Sequence, residues 1–202
     1  MSAPESPSAF WDRRYRAADR LWTPEPNALL AEFAAGLAPG RALDLGAGEG
    51  RNAVWLAKSG WRVTALDVSA VALARATERA VEEGVELDWI QTDWREYRPG
   101  PSSFDLAIIS FMHPEPDERA SMFGLASGAL VPGGQLFVVG VDLAEHGRRG
   151  PGDPDRLYTP ERLREALSGL DVLRCESVAY EVAGKEGPRP VLDVVAIARR
   201  RV

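Results

Sequence analysis

Glycine and acidic residues alternate in a short segment, ALDLGAGEGRN, in a spacing that suits a small charged ligand. Asp44 lies two residues before Gly46, and Gly48 and Gly50 follow at alternate positions. Glycine allows a ligand to approach the backbone closely and adopts φ values that other residues avoid. The segment leaves an apolar run and enters an amphipathic one, so it predicts a ligand-binding turn between a strand and a helix.

The glycine spacing distinguishes two kinds of ligand. Dinucleotide sites carry G-x-G-x-x-G, whose third glycine permits close packing of helix and strand. Here the order is G-x-G-x-G, and Arg51 occupies the place of that last glycine. The Asp44 carboxylate is also unfavourable beside a pyrophosphate but suits an ammonium group. The turn therefore favours a zwitterionic ligand over a diphosphate.

Two further acids end the next two apolar runs, Asp67 in VTALD and Asp93 in WIQTD. A carboxylate at Asp67 can accept hydrogen bonds from both hydroxyls of a ribose. Asp93 can accept from the exocyclic amine of adenine while the Trp94 backbone N–H donates to a ring nitrogen. Aspartates at strand ends also cap turns, and for Asp93 taken alone both interpretations stay open.

The elements that must position these residues follow from a regular alternation of apolar and amphipathic segments. Strands are predicted at 42–45, 62–66, 86–91, 105–110 and 135–141, with helices at 51–59, 70–83, 118–130 and 160–167. Ser69 and Thr159 stand at N-cap positions of two of these helices. Such alternation predicts a parallel sheet with helices on both faces.

The last two apolar segments, 172–182 and 191–199, break the alternation. The connection between them, 183–190, contains Gly184, Gly187 and Pro188 and is too short for a parallel crossover. These strands are therefore expected to form an antiparallel hairpin. The predicted fold is an α/β three-layer sandwich whose seven-stranded mixed sheet has five parallel strands plus this C-terminal hairpin.

Residues 1–40 are interpreted as an N-terminal helical lid segment and residues 41–202 as the binding domain, within a single domain overall. A short helix at 8–18 places Trp11 and Tyr15 one turn apart, and Trp22 follows in LWTPEPN. These aromatic side chains either close over the ligand and exclude water or simply anchor an added helix. Asn27 is expected to cap the second helix.

Composition excludes several classes of protein. The 202 residues carry 24 basic and 30 acidic side chains, a net charge of −6, which disfavours nucleic acid as a partner. No apolar run approaches the roughly 20 residues of a membrane span, and no signal peptide is apparent, so a cytoplasmic location is expected. Cys175, His113 and His146 do not form a metal-ligand set, and no metal is predicted. A monomer or a homodimer is expected.

DLGAGEG, Asp67, Asp93, FDLAIIS and LVPGGQLFVV resemble the class I, Rossmann-like S-adenosylmethionine-dependent methyltransferases. GEGRNAVWLA, FWDRRY and LWTPEPN are similar to the tellurite-resistance-like, small-molecule branch of that superfamily. The resemblance implies S-adenosylmethionine as cofactor, methionine at the glycine turn, ribose at Asp67 and adenine at Asp93 and Trp94. The full set of cofactor-binding residues expected on this basis is Asp44, Gly46, Ala47, Gly48, Gly50, Asn52, Asp67, Val68, Asp93, Trp94 and Ser110.

His113 follows Ser110 where the resemblance places the methyl acceptor. A histidine can remove a proton from a hydroxyl or thiol acceptor, although a packed loop histidine is the simpler interpretation. The segment lacks the acidic or Asn residue, two prolines and aromatic of enzymes that methylate nucleic-acid bases. The expected function is methyl transfer to an O, N, S or metalloid atom of a small molecule. The alternatives are a non-catalytic nucleoside-binding module and an NAD-type oxidoreductase.

Overall fold

The computed structural model describes residues 5–182, 187 and 189–202, and its strands form one seven-stranded sheet. The strands are β1 (Arg41–Leu45), β2 (Arg62–Asp67), β3 (Asp88–Gln91), β4 (Phe104–Ser110), β5 (Leu130–Val141), β6 (Asp171–Val182) and β7 (Arg189–Arg199). Their order is β3-β2-β1-β4-β5-β7-β6. β1, β2 and β3 pair in parallel, whereas β7 pairs antiparallel with both β5 and β6.

The predicted α/β class is confirmed, including the antiparallel hairpin at the C-terminus. The helices are α1 (Pro7–Arg16), α2 (Ala28–Ala34), α3 (Arg51–Lys58), α4 (Ala70–Glu82), α5 (Arg119–Ala129) and α6 (Pro160–Ala166). Two short 3-10 turns follow β5, at Leu143–Glu145 and Pro154–Arg156. Of the connection predicted between the hairpin strands, Gly184 and Pro188 lie outside the described residues.

One compact unit comprises the described residues up to Pro99 together with Phe104–Leu106. Its helices begin where the sequence predicted, because Asn27 accepts a hydrogen bond from Leu30 N and Ser69 accepts one from Ala72 N. β1 and β2 are almost entirely buried, and α4 packs its small residues toward the sheet. The predicted lid segment belongs to this same unit, since α1 packs against α4.

The other unit comprises Gly100–Ser103 and Ala107–Val202. Its β5 begins five positions before the predicted start at residue 135, because the Pro132-Gly133-Gly134 run continues the strand. Backbone hydrogen bonds from Gly133 N to Arg200 O and from Arg200 N to Gly134 O hold this start in place. A sequence pattern that resembles a turn is therefore overridden by pairing with the C-terminal segment.

Tyr158 is fully buried in this second unit and lies flat against Gly140 of β5. Its hydroxyl donates to Met112 O, and its ring stacks on His113 with the two centroids 4.9 Å apart. Within the described part of the chain, no helix has the length and apolar character that crossing a bilayer requires.

Replacing Gly140 by alanine is expected to destabilise the fold by about 1–3 kcal/mol, the usual effect of overpacking a core. The added Cβ would meet the Tyr158 ring at less than 3 Å. Gly124→Ala is the matched control, because a Cβ there meets nothing within 4 Å and alanine favours the helix by about 1 kcal/mol. Urea denaturation measures both free energies of unfolding, and equal stability of the two variants would contradict the packing at Gly140.

Candidate active site

The glycine turn between β1 and α3 is held by hydrogen bonds from its own amides. Gly46 N and Ala47 N both donate to Leu66 O at 2.9 Å, and Gly48 N donates to Asp67 Oδ2 at 2.8 Å. Gly46, Gly48 and Gly50 all have positive φ, between 55° and 75°. These three amides donate hydrogen bonds within the protein, so they are not free to bind a ligand. A ligand at this turn would instead approach the glycine backbone closely.

Positions 48 and 50 need glycine for two reasons, the positive φ angle and the lack of space for a side chain. A Cβ at Gly50 would lie 2.9 Å from both Ala76 and Trp89, so glycine permits α4 and β3 to pack against the turn. A Cβ at Gly48 would lie 2.7 Å from the Tyr15 hydroxyl. The turn is therefore in contact with the N-terminal segment at Gly48.

Asp44, the acid predicted to meet an ammonium group, is 1% exposed at the end of β1. Neither of its carboxylate oxygens has a hydrogen-bond partner among the described residues. Burial, with the nearby charge of Asp67, raises the pKa of Asp44 to about 7. A buried, unpaired carboxyl group of this kind is stabilised in its charged form by a cation, which fits the predicted role.

Asp67 ends β2 and is joined to the same turn. Its Oδ2 accepts from Gly48 N at 2.8 Å and its Oδ1 from Ser69 N at 2.9 Å. Burial raises the pKa of Asp67, while these backbone hydrogen bonds, including one from Val68, oppose that shift. A carboxylate offers about four lone-pair directions, so acceptor capacity remains for a ligand hydroxyl beside the three backbone bonds. Asp67 is thus both a brace of the turn and a candidate ribose ligand.

The predicted lid residues Tyr15 and Trp22 lie over the glycine turn. Tyr15 is 3% exposed, and its hydroxyl accepts a hydrogen bond from Trp22 Nε1 at 3.1 Å. Burial and the charge of Asp67 raise the pKa of Tyr15, so the phenol stays protonated. Trp11, one turn earlier on α1, has its ring centroid 6.1 Å from that of Tyr15.

Three further residues fix this segment and were missed by the sequence analysis. Asp12 of α1 accepts from Ser69 Oγ at 2.6 Å and from Val71 N at 3.2 Å, at the beginning of α4. Glu49 and Arg75 form an ion pair that contacts the backbone of residues 18–22. In the sequence, only the position of Glu49 between two glycines of the turn could have indicated this role.

Asn52 and Asp93, both predicted to bind the cofactor, make contacts within the protein. Asn52 Oδ1 accepts from Asn27 N at 2.9 Å, so its side chain anchors the start of α2. Asp93 Oδ1 accepts from Arg95 N, and its carboxylate pairs with the Arg95 guanidinium at 3.0 Å. That guanidinium also lies over the Trp94 ring. These are turn-capping contacts, and adenine binding at Asp93 and Trp94 stays a prediction.

His113 does not have the free ring nitrogen that the predicted proton acceptor requires. Its Nδ1 donates to Arg156 O at 3.1 Å, and its Nε2 accepts from Val141 N at 3.2 Å. Burial lowers the pKa of His113 to about 4. His113 is therefore packed as a loop histidine, and a catalytic role for it stays a prediction without support from these contacts. Ser110 is half-buried at the end of β4, and Phe111 after it has φ 57°.

No group of three or more His, Cys, Asp or Glu side chains in the described part of the chain is arranged to hold a metal ion.

Comparison with known proteins shows what this part of the chain is similar to. Residues 42–134 match the family model described as "Methyltransferase domain". The ubiquinone biosynthesis O-methyltransferase of Klebsiella pneumoniae is 29% identical over 133 residues, which are 64% of this chain and 54% of the relative. The chain therefore spans about half the length of the curated relatives it matches.

Two solved structures share the fold. TehB from Haemophilus influenzae superposes with a TM-score of 0.73 at 18% identity, covering 96% of this chain and 67% of that one. The 1,6-didemethyltoxoflavin-N1-methyltransferase of Burkholderia thailandensis, solved with S-adenosylhomocysteine, gives a TM-score of 0.72 at 21% identity, covering 100% and 94%. The chain is therefore similar to S-adenosylmethionine-dependent methyltransferases, the class that its motifs predicted.

Asp44→Asn is expected to change the pH dependence of stability. The folded-state pKa of Asp44, about 7, lies above its ordinary 3.8, so the unfolded state releases the proton first and stability falls as pH rises between these values. Asparagine removes this loss, so the ligand-free variant should unfold at a higher temperature than the wild type at pH 8 and show little difference at pH 4. Thermal unfolding across this range checks it, and parallel profiles of the two proteins would contradict the assignment.

Gly48→Val is expected to displace Tyr15 and weaken binding of S-adenosylhomocysteine at least tenfold. Valine is strained at φ 55°, and its Cβ occupies the space of the Tyr15 hydroxyl. Gly84→Val is the matched control, since Gly84 has φ 68° but open space around it. Gly84→Val introduces similar backbone strain, so unchanged affinity in this control would assign the loss in Gly48→Val to the local contact with Tyr15. Normal affinity of Gly48→Val in calorimetry would show that the ligand does not use this turn.

Proposed function

We propose that the chain transfers the methyl group of S-adenosylmethionine to a small organic acceptor. The observation that carries this proposal is the buried carboxyl group of Asp44, which has no partner among the described residues and lies beside the glycine turn. An α-ammonium group supplies the missing cation. When bound, the cofactor supplies a methyl group on a sulfonium, which is displaced by the nucleophilic atom of the acceptor.

The residues of the chain bind and orient this cofactor. Asp44 receives the ammonium group, and the Gly48 backbone faces the methionine moiety. Asp67 accepts from the ribose hydroxyls, while Asp93 and Trp94 receive the adenine. Glycine at position 48 leaves room for the Tyr15 hydroxyl, which would lie 2.7 Å from a Cβ at that position. Orientation is the main contribution a protein makes to such a displacement, because it converts an encounter into an intramolecular step.

The N-terminal segment excludes water from this site. Tyr15 and Trp22 cover the glycine turn, and water exclusion strengthens the attraction between Asp44 and a cation. We propose that these aromatic side chains combine the two alternatives raised by the sequence. Tyr15 anchors α1 in the core, and its hydroxyl also closes the space above Gly48.

We assign no proton acceptor to the reaction, because both nitrogens of His113 are engaged in the fold. Transfer to an acceptor that is already deprotonated, such as a thiolate, needs none. The net charge of −6 supports a small molecule rather than nucleic acid as the acceptor. We further propose the small-molecule branch that includes TehB-like proteins, a cytoplasmic location, no membrane association, and a monomer or homodimer.

Titration calorimetry with S-adenosylhomocysteine, and with NADH as the competing ligand class, tests the proposal. Only the former should bind. Asp67→Ala should weaken its binding by about 2 kcal/mol, the worth of charge-assisted hydrogen bonds to buried hydroxyls. Asp88→Ala is the matched control, an exposed aspartate at the start of β3.

Absence of binding by the wild type, or equal affinity in Asp67→Ala with an unchanged circular dichroism spectrum, would contradict the cofactor assignment. Release of S-adenosylhomocysteine from S-adenosylmethionine with a panel of thiol, amine and hydroxyl acceptors then separates an enzyme from a binding module. Turnover with at least one acceptor class supports the methyltransferase, whereas binding without turnover across the panel favours the module.

A further inference from the structure

Glu49 lies inside the glycine turn, and its side chain, 11% exposed, is directed at the N-terminal segment. Its Oε2 accepts from Leu21 N at 3.1 Å and from Trp22 N at 3.3 Å. Its Oε1 pairs with Arg75 Nη1 at 2.9 Å. One carboxylate thus joins the turn, the N-terminal segment and α4.

Arg75 completes the attachment from α4. While Nη1 meets Glu49, Nη2 donates to Ala18 O at 2.9 Å. The two side chains therefore satisfy three backbone groups of residues 18–22, a stretch that belongs to no helix or strand. Backbone groups outside regular structure need such partners to be fixed in place.

Trp22 connects the Glu49–Arg75 ion pair to the glycine turn. Glu49 fixes the backbone of Trp22, whose indole N–H donates to the Tyr15 hydroxyl, and that hydroxyl lies against Gly48. The turn that receives the ligand therefore also holds the residues that cover it. Charged hydrogen bonds in partly buried surroundings are stronger than exposed ion pairs, so this connection has an energetic consequence.

We infer that Glu49 and Arg75 are positioning residues that fix Trp22 and Tyr15 over Gly48 and so set the affinity for the cofactor without contacting it. The inference rests on the proposed function. Separate contacts keep the remainder of the segment in place when the pair is broken. These are Asp12 with Ser69 and Val71, and Asn52 with Asn27.

Trypsin provides a readout that is independent of any ligand, because the bond between Arg20 and Leu21 lies within the attached stretch. Cleavage requires local release of the backbone and follows its opening equilibrium. Glu49→Ala should be cut after Arg20 at least tenfold faster than the wild type. Glu49→Gln should be cut about threefold faster, since its amide oxygen still accepts a hydrogen bond but lacks the charge.

The same variants are titrated with S-adenosylhomocysteine. Glu49→Ala should raise the dissociation constant about tenfold. Arg75→Lys should raise it about threefold, because lysine keeps the charge but loses the hydrogen bond from Nη2 to Ala18 O. Glu176→Gln is the matched control, because it breaks an exposed pair with Arg174 on β6. It should leave both the cleavage rate and the affinity unchanged.

A double-mutant cycle with Tyr15→Phe separates positioning from general destabilisation. If Glu49 acts through Tyr15, the tenfold effect of Glu49→Ala on affinity should fall below threefold in the Tyr15→Phe background. A full tenfold effect in both backgrounds overturns the inference, as does faster cleavage after Arg20 with unchanged affinity. Should Glu49→Ala fail to fold, Glu49→Gln and Arg75→Lys carry the same test.

Failure of the proposed function gives a different result. If the wild type itself does not bind S-adenosylhomocysteine, the cofactor assignment is wrong and the inferred effect on affinity is wrong with it. Unchanged trypsin cleavage in every Glu49 and Arg75 variant, together with normal binding by the wild type, overturns the positioning role alone.

Discussion

The carboxyl group of Asp44 is buried at the end of β1, and neither of its oxygens has a hydrogen-bond partner among the described residues. Burying an unpaired charge is unfavourable, and the protein responds by raising the pKa of this group to about 7. The ligand-free fold thus holds a carboxyl group that is balanced between its two forms near neutral pH. A cation that enters the site recovers the interaction that the fold leaves unmade.

The surrounding residues bury this carboxyl group and hold the turn beside it. Gly48 has no side chain, so the Tyr15 hydroxyl packs against its backbone, and Asp67 accepts from the Gly48 amide and so holds the shape of the turn. Glu49, from the same turn, holds the segment that carries Trp22. The turn and the N-terminal segment are therefore coupled, because the contacts of both depend on one five-residue stretch of backbone.

The sequence predicted the strands and the helix starts because these depend on local patterns. Asn27, Ser69 and Thr159 cap the helices that they were expected to cap, since a cap contacts amides two or three residues away. The glycine spacing also separated the methyltransferase class from dinucleotide folds. The beginning of β5 was misplaced, because its partner, Arg200, is distant in the sequence.

The chemistry of single side chains was harder to predict for the same reason. Both ring nitrogens of His113 are hydrogen-bonded, to the backbone of Val141 and of Arg156, and neither residue is near it in the chain. Asp12 reaches Ser69, and Arg75 reaches Ala18, across similar distances in sequence. Charged residues on an amphipathic helix give no indication of such partners, so the residues that hold the cover in place emerged only from the fold.

The central claim is that Asp44 is held for a cation, and the ionisation of its own carboxyl group tests this most directly. Carbon-13 NMR of labelled protein follows that carboxyl carbon through a pH titration, with and without saturating S-adenosylhomocysteine. The account predicts a pKa near 7 without ligand. With ligand, the pKa should fall by at least two units, as expected when an opposite charge comes close. A pKa that is already ordinary without ligand, or that the ligand leaves unchanged, would contradict it.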